Sequence, residues 1–511
     1  MTYSADSTSS WNGVVFDHSM KDNVLSHVDM SWGDRQNQMI LVQYSKLLID
    51  HTTWSHTTKT IIEVEHPSLL IRNSVFPDVN ERELIHGVYL RDSEYLILDG
   101  NVFGRPTGYN DVIDFSDCRR PGPVFEVYNN VFTGGGDDGL DVDGCDSHVE
   151  GNLFMNFHKK NNTSSTSNAI ATGVFNNYSP SIVVARNVFL NNDHAVLLKE
   201  DSYMRSDNNV YVNCMIGAID YGEWPDRTVD PGRGADLNGD IFWNNGSDFQ
   251  NQFAQPGKKN PFITVNRCII SKDLDSLGTG NLDVDPKFVD PENDFHLQPL
   301  SPAIGKGPNG LDMGRWVPTG ASISGEPDSI SNQTTTALTI GGPGITDYEY
   351  SLNNQAGPWS GIFALADSPK VNLTDLKDGE TYTVYVKGKN SAGRWQTDPE
   401  YTSSRTWTVV TSVGVTQTVQ SVRPKSFILH QNTPNPFNPL TVIEFDLPES
   451  RFITLTLFDG LGREIATLAS GQYPAGKFKS VWDARNFSSG TYYARYHAGD
   501  FIKTIKMTLV K

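Results

Sequence analysis

Carboxylates crowd one stretch of the chain, Gly134-Gly135-Gly136-Asp137-Asp138-Gly139-Leu140-Asp141-Val142-Asp143, with Asp114 upstream and Asp220 downstream. Acidic side chains this close repel, so a group of them retains a proton or takes up a cation. A carboxyl that keeps its proton can act as a general acid. An ionised partner beside it supplies the base or nucleophile of glycoside hydrolysis, with Asp114, Asp138 and Asp141 as candidates. Clustered hard oxygen donors also suit calcium, and Asp137, Asp138, Asp141 and Asp143 are the candidate ligands. The DxDG here lacks the other positions of an EF-hand loop. Basic residues add a second chemistry. β-Elimination from a uronate needs a cation or acid to neutralise the carboxylate and a base to take the α-proton. Lys199 and Arg91 are the candidate bases, with Arg205 near the following turn, and His194 in Asn191-Asn192-Asp193-His194 is a candidate acid. Lys199 could serve only if burial or a cationic neighbour lowered its pKa.

A repeat must position these groups. An aromatic residue recurs as Trp32, Trp54, Phe76, Phe103, Phe132, Phe154, Phe189, Tyr211 and Phe242, with a shortest interval of 22 residues. Each closes a polar-led phrase such as Asp99-Gly100-Asn101-Val102-Phe103 or Tyr128-Asn129-Asn130-Val131-Phe132. A strand-built repeat of this length predicts a solenoid, one coil per repeat, with longer intervals carrying loops at a corner. The Asn residues of these phrases sit at a corner, where Asn tolerates left-handed backbone and stacks into a ladder.

Aligning the next strand of each coil on Ile40, Ile62, Val88, Ile113, Leu140, Ile170, Val196 and Ile219 gives an outward column of Leu41, Glu63, Tyr89, Asp114, Asp141, Ala171, Leu197 and Asp220. Two residues further on, the outward column reads Gln43, Glu65, Arg91, Ser116, Asp143, Gly173, Lys199 and Gly222. One face then gathers the charges, with Asp114 and Asp141 as neighbours. A slip of one residue would reverse inside and outside. Inserts at 104–111, 158–168 and 222–234 would wall a groove. Tyr221 and Trp224 are candidates for stacking on a sugar ring, and with Arg205 and Glu223 they form the expected substrate-binding set.

Composition narrows the classes. The chain has 511 residues and a formal charge of −19, which argues against a nucleic-acid partner. No apolar run is long enough to span a membrane, and a monomer is expected. The start, Met1-Thr2-Tyr3-Ser4-Ala5-Asp6, has neither basic stretch nor apolar core, so a truncated N-terminus that lacks its export signal is expected. Four cysteines occur without a CxxC. Cys118 and Cys145 fall at matching places in consecutive coils, as a disulfide or as two buried thiols.

The repeat resembles the right-handed parallel β-helix superfamily of pectate lyases, polygalacturonases and chondroitinase-type lyases, over about 300 residues. The resemblance implies an all-β chain with the helix over 1–320 and polysaccharide as substrate. Its lyases typically use a Lys or Arg base, often with Ca2+. Gly136-Asp137-Asp138-Gly139 resembles the Asp pair of polygalacturonases, but that family's HG and RIK phrases are absent. Asn281 to Trp316 resembles the closing segment of bacterial secreted β-helix proteins. Residues 321–412, with Asp375-Leu376-Lys377-Asp378-Gly379-Glu380-Thr381-Tyr382, resemble a fibronectin type III or Ig-like module, and 413–424 reads as a linker. Residues 425–511 resemble the C-terminal sorting domain of type IX secretion substrates. The resemblance rests on Gln431-Asn432-Thr433-Pro434-Asn435-Pro436-Phe437-Asn438-Pro439, LTLFDGLGREIATL and the ending Lys506-Met507-Thr508-Leu509-Val510-Lys511. It implies the type IX secretion machinery as a partner and the surface or surroundings of a Gram-negative bacterium as destination. Together these give an exported β-helix protein acting on an extracellular, uronate-containing polysaccharide. Lyase chemistry stands ahead of hydrolysis, and a non-catalytic adhesin or glycan-binding solenoid is the competing class.

Overall fold

A computed structural model describes residues 11–33, 37–159, 167–222, 229–253, 258–397, 400–410 and 424–511, and the backbone of 415–418. The chain is all-β, a parallel solenoid of about nine turns followed by several small antiparallel sheets. Two ten-stranded parallel sheets and a shorter third sheet run along the solenoid. The first sheet, which carries the acidic residues, includes Thr60–Glu65, Ile85–Val88, Ile113–Ser116, Leu140–Asp141, Asn168–Thr172, His194–Leu198 and Gly217–Asp220. Short strands alternate side chains in and out, so every second residue enters the core.

The aromatic repeat becomes an internal stack. Trp54, Phe76, Phe103, Phe132, Phe154, Phe189, Tyr211 and Phe242 stack in succession with ring centroids 4.3–5.3 Å apart. Trp32 is the exception. Met30 pairs with Trp54 in the strand, while Trp32 turns out at a corner with φ of 63° and stacks on His56. Beside the stack runs an amide ladder. Asn101, Asn130, Asn152 and Asn187 each donate Nδ2 to the Oδ1 of the next Asn up the solenoid, at 2.9–3.0 Å, as far as Asn209. Each is buried and also bonds a backbone carbonyl, which satisfies groups that would otherwise be orphaned in the core.

Cys118 and Cys145 pair as a disulfide between consecutive coils, with Cα atoms 4.3 Å apart. At the far end Leu274 and Leu277, on the 3-10 turn Lys272–Leu277, pack on the core. Phe288, Phe295 and Met313 of the closing segment cover the outer residues Val188, Val210 and Ile241 of the third sheet. A second apolar core gathers Leu338, Ile340, Tyr348, Val384, Val386 and Trp407, and a third gathers Phe445, Leu455, Phe478, Trp482 and Tyr496. The first of these units touches the second solenoid sheet. Arg394 pairs with Glu126, Ser391 Oγ lies 2.6 Å from His148 Nδ1, and Gly344 N–H donates to Asp207 at 3.0 Å.

Candidate functional site

Strand register decides which acids meet. Outward on the first sheet the column reads Leu41, Glu63, His86, Asp114, Asp141, Ala171, Leu197 and Asp220. It matches the sequence-derived column except at one coil, where His86 stands in place of Tyr89. The cause is Gly87, which takes the inward position between Val64 and Phe115. A Cβ there would lie 2.2 Å from Val64 Cγ2, so only glycine fits. With no apolar side chain at that position, hydrophobic alternation alone selects Val88. The expected place of Arg91 is therefore corrected. Arg91 lies beyond the strand, where its guanidinium donates to Asp117 Oδ2 at 2.9 Å and to the Asp117 carbonyl at 3.2 Å.

A second column lies three residues before the first: Glu83, Asp111, Asp138, Asn168 and His194. Backbone bonds from Leu84 to Val112, Val112 to Asp138 and Gly139 to Asn168 stack these coils. Asp111 and Glu83 were missed in the sequence, yet it carries their signal. Glu83-Leu84-Ile85-His86, Asp111-Val112-Ile113-Asp114 and Asp138-Gly139-Leu140-Asp141 are one phrase with acid or imidazole three apart.

Four carboxyls of this double column, Asp111, Asp114, Asp138 and Asp141, act on one another together with Asp143, two residues beyond Asp141. Burial first, then Asp143, Asp111, Asp138 and Asp114, pushes the Asp141 carboxyl well above the usual range. Its Oδ1 is buried without a hydrogen bond. Burial and Asp137 raise Asp138 to about 7, against the opposing pull of Asn168 and the Lys199 ammonium. Asp138 Oδ1 accepts from Asn168 N–H at 3.0 Å and Nδ2 at 2.8 Å. Asp114 rises to about 6 through burial, offset by His86 and reinforced by Asp143 and Glu63. Asp111 is raised by burial and by Asp138. Donor atoms of Asp111, Asp137 and Asp138 all lie within 4.8 Å of one another, an all-oxygen set that fits calcium. Asp137 Oδ1 also holds Lys159 Nζ at 3.2 Å.

The other expected site residues scatter. Lys199 sits where its charge acts on Asp138. His194 is wholly buried, bonds Asn168 at 3.2 Å, and burial drops its pKa to about 4, so it has no open path to a bound sugar. Asp220 is buried and accepts from Gly222 N–H and Asn251. Tyr221 is fully buried against Phe249 and presents no face for stacking. Arg205 belongs to the second sheet, pairs with Asp207 at 2.7 Å and donates to the Ile345 carbonyl of the following unit. Glu223 and Trp224 lie outside the described residues. Next to the cluster opens a cleft of about 980 Å3, lined by Arg105, Tyr109, His158, Lys159, Asp193 and Met215 among others. Lys159 Nζ lies 3.7 Å from the Tyr109 ring centroid, which ties the 104–111 insert to Asp137.

No protein-family model matches the chain, and no curated protein matches it. Among solved structures the chain is similar to a two-domain fibronectin type III segment of chicken tenascin, at 16% identity and a TM-score of 0.15, covering 38% of this chain and 99% of that one. It is similar to the central fibronectin III array of RIM-binding protein at 13% identity and a TM-score of 0.15, covering 38% and 70% of the two chains. It is similar also to Bacteroides uniformis beta-glucuronidase 3, at 11% identity and a TM-score of 0.17, covering 39% and 27%. Likeness this slight carries no argument about activity. No helix among the described residues is long and apolar enough to cross a membrane.

Proposed function

We propose that the protein cleaves an extracellular, uronate-containing polysaccharide at the acidic double column, by hydrolysis. The observation that carries this reading is a set of carboxyls, stacked from consecutive coils and joined through Lys159 to an open cleft, in which Asp138 is held at about 7. Titratable groups whose environments push their pKa values up and apart make acid and base partners. Asp138 protonates the leaving oxygen, and an ionised carboxylate of the cluster activates water or attacks the anomeric carbon.

One observation favours elimination as a second reading: Lys199 shares the field of Asp138. Calcium held by Asp111, Asp137 and Asp138 would neutralise a uronate carboxylate there. Residues 425–511, by their resemblance, would direct the chain through type IX secretion to the cell surface or medium, and deleting them should leave it undelivered.

A panel of pectic, alginate and glycosaminoglycan polymers separates these readings, with calcium and with chelator. Hydrolysis should give new reducing ends without ultraviolet absorbance of unsaturated product, and its rate should fall as pH rises above about 7 and the acid loses its proton. Absorbance lost in Lys199→Ala would install elimination instead. No product from any polymer would turn the reading to a glycan-binding solenoid.

A further inference from the structure

Sharing Asp114 with the carboxyl cluster and extending one coil toward the N-terminus lies a group of different chemistry. Donor atoms of Glu83, His86 and Asp114 all lie within 4.8 Å of one another. His86 Nδ1 is engaged with Glu63 Oε1 at 2.7 Å. That bond turns the other ring nitrogen toward Asp114, with Nε2 and Oδ2 3.9 Å apart. This exceeds a hydrogen bond. Among the described residues neither Nε2 nor the carboxylates of Glu83 and Asp114 make any hydrogen bond. All three side chains are partly exposed, so an ion can reach them.

We propose that Glu83, His86 and Asp114 bind one borderline-soft divalent metal ion of the zinc class, with Glu63 orienting the imidazole. Three lines of chemistry meet here. Imidazole with carboxylates suits zinc and its neighbours, whereas calcium takes oxygen alone. Two ligands each about 2.1 Å from a tetrahedral ion stand about 3.4 Å apart, so 3.9 Å closes with a small side-chain movement. A histidine that binds metal through one nitrogen characteristically donates the other to a carboxylate, and Glu63 holds that place. Three carboxylates surround one imidazole, which leaves the group net negative without an ion. The elements fix the arrangement: Glu63, His86 and Asp114 are direct neighbours across three parallel strands, and Glu83 enters from the residues leading into the middle one.

The test uses the full chain, freed of metal by chelator and titrated calorimetrically with Zn2+. Wild type should bind one tight equivalent that excess Ca2+ does not displace. His86→Ala should lose that equivalent. Glu63→Gln, which removes no ligand, should keep the stoichiometry and weaken binding about 10- to 100-fold. Melting of the metal-free variants checks folding, and Glu83→Gln serves if His86→Ala fails to fold. Equal Zn2+ binding by wild type and His86→Ala, or by wild type and Glu83→Gln, would overturn the site. So would displacement by Ca2+ at equal concentration. Because the readout is binding, failure here is distinct from failure to cleave a polymer.

Discussion

Asp138→Asn should lower polymer cleavage by about 100- to 10,000-fold and raise the melting temperature in the same protein. The two effects share one cause. Asp138 is half-buried beside Asp137, and the loss of solvent around its carboxyl together with the Asp137 charge pushes it to about 7. A carboxyl whose folded pKa lies above its unfolded value favours the fold below the unfolded value. That contribution disappears as pH rises through the folded pKa. Wild type therefore loses stability between about pH 4 and 7 at this position, and the amide does not. The substitution is conservative in shape, since the amide oxygen that replaces the carboxyl Oδ1 can still accept from Asn168 N–H and Nδ2. Thermal melts at pH 5 and 8 should show the variant's advantage growing with pH. Rates measured on the same samples should show the loss of the acid. A variant that cleaves within about threefold of wild type would remove Asp138 from the chemistry and leave the cluster as architecture. A variant that melts lower than wild type at pH 8 would show that the carboxylate is held by favourable contacts.

The solenoid was legible because its signals are local and repeated. The aromatic interval and the Asn phrase recur coil after coil, and one side chain at each place stacks on its equivalent. The acidic column was legible to the same extent, since Glu63, Asp114, Asp141 and Asp220 follow the alternation of their strands. Legibility failed wherever the repeat was broken by something other than hydrophobicity. Gly87 hid the register of one coil, which misplaced Arg91 and concealed His86. Trp32 turns outward because Met30 takes the inner place, and aromatic identity alone cannot tell the two positions apart. Tyr221 and His194 read as exposed functional groups because their types are common in sites. Burial is a property of the coils above and below, and no single phrase encodes it. Arg205 shows the remaining limit, because its partners Asp207 and Ile345 come from a neighbouring position and from another unit.

Asp240→Asn should stabilise the chain, more at high pH than at low. The amide ladder runs Asn101, Asn130, Asn152, Asn187, Asn209, and its next member is Asp240, a carboxylic acid in a place otherwise held by amides. Asp240 Oδ1 accepts from Asn209 N–H at 2.6 Å and from its Nδ2 at 3.1 Å. Oδ2 is buried and makes no hydrogen bond. Burial pushes the carboxyl up to about 8, with the Asn209 backbone bond opposing. Since that pKa lies above the unfolded value, the acid's contribution to stability is full below about pH 4 and gone once pH passes about 8. An amide carries no such dependence. Each lower Asn also donates Nδ2 to the carbonyl one coil back, Asn187 to Val149 and Asn209 to Val184. The equivalent acceptor for the amide introduced by Asp240→Asn is the Ser206 carbonyl, because Ser206 pairs with Val184 in the next coil of the second sheet. Satisfying a buried polar atom is worth about 1–3 kcal/mol, which for a solenoid of this size corresponds to a few degrees of melting temperature. The difference between variant and wild type should widen from pH 5 to pH 9. A constant difference would mean that Asp240 is not protonated in the fold. A destabilised variant would mean that the carboxyl's proton donates to a partner the amide cannot reach.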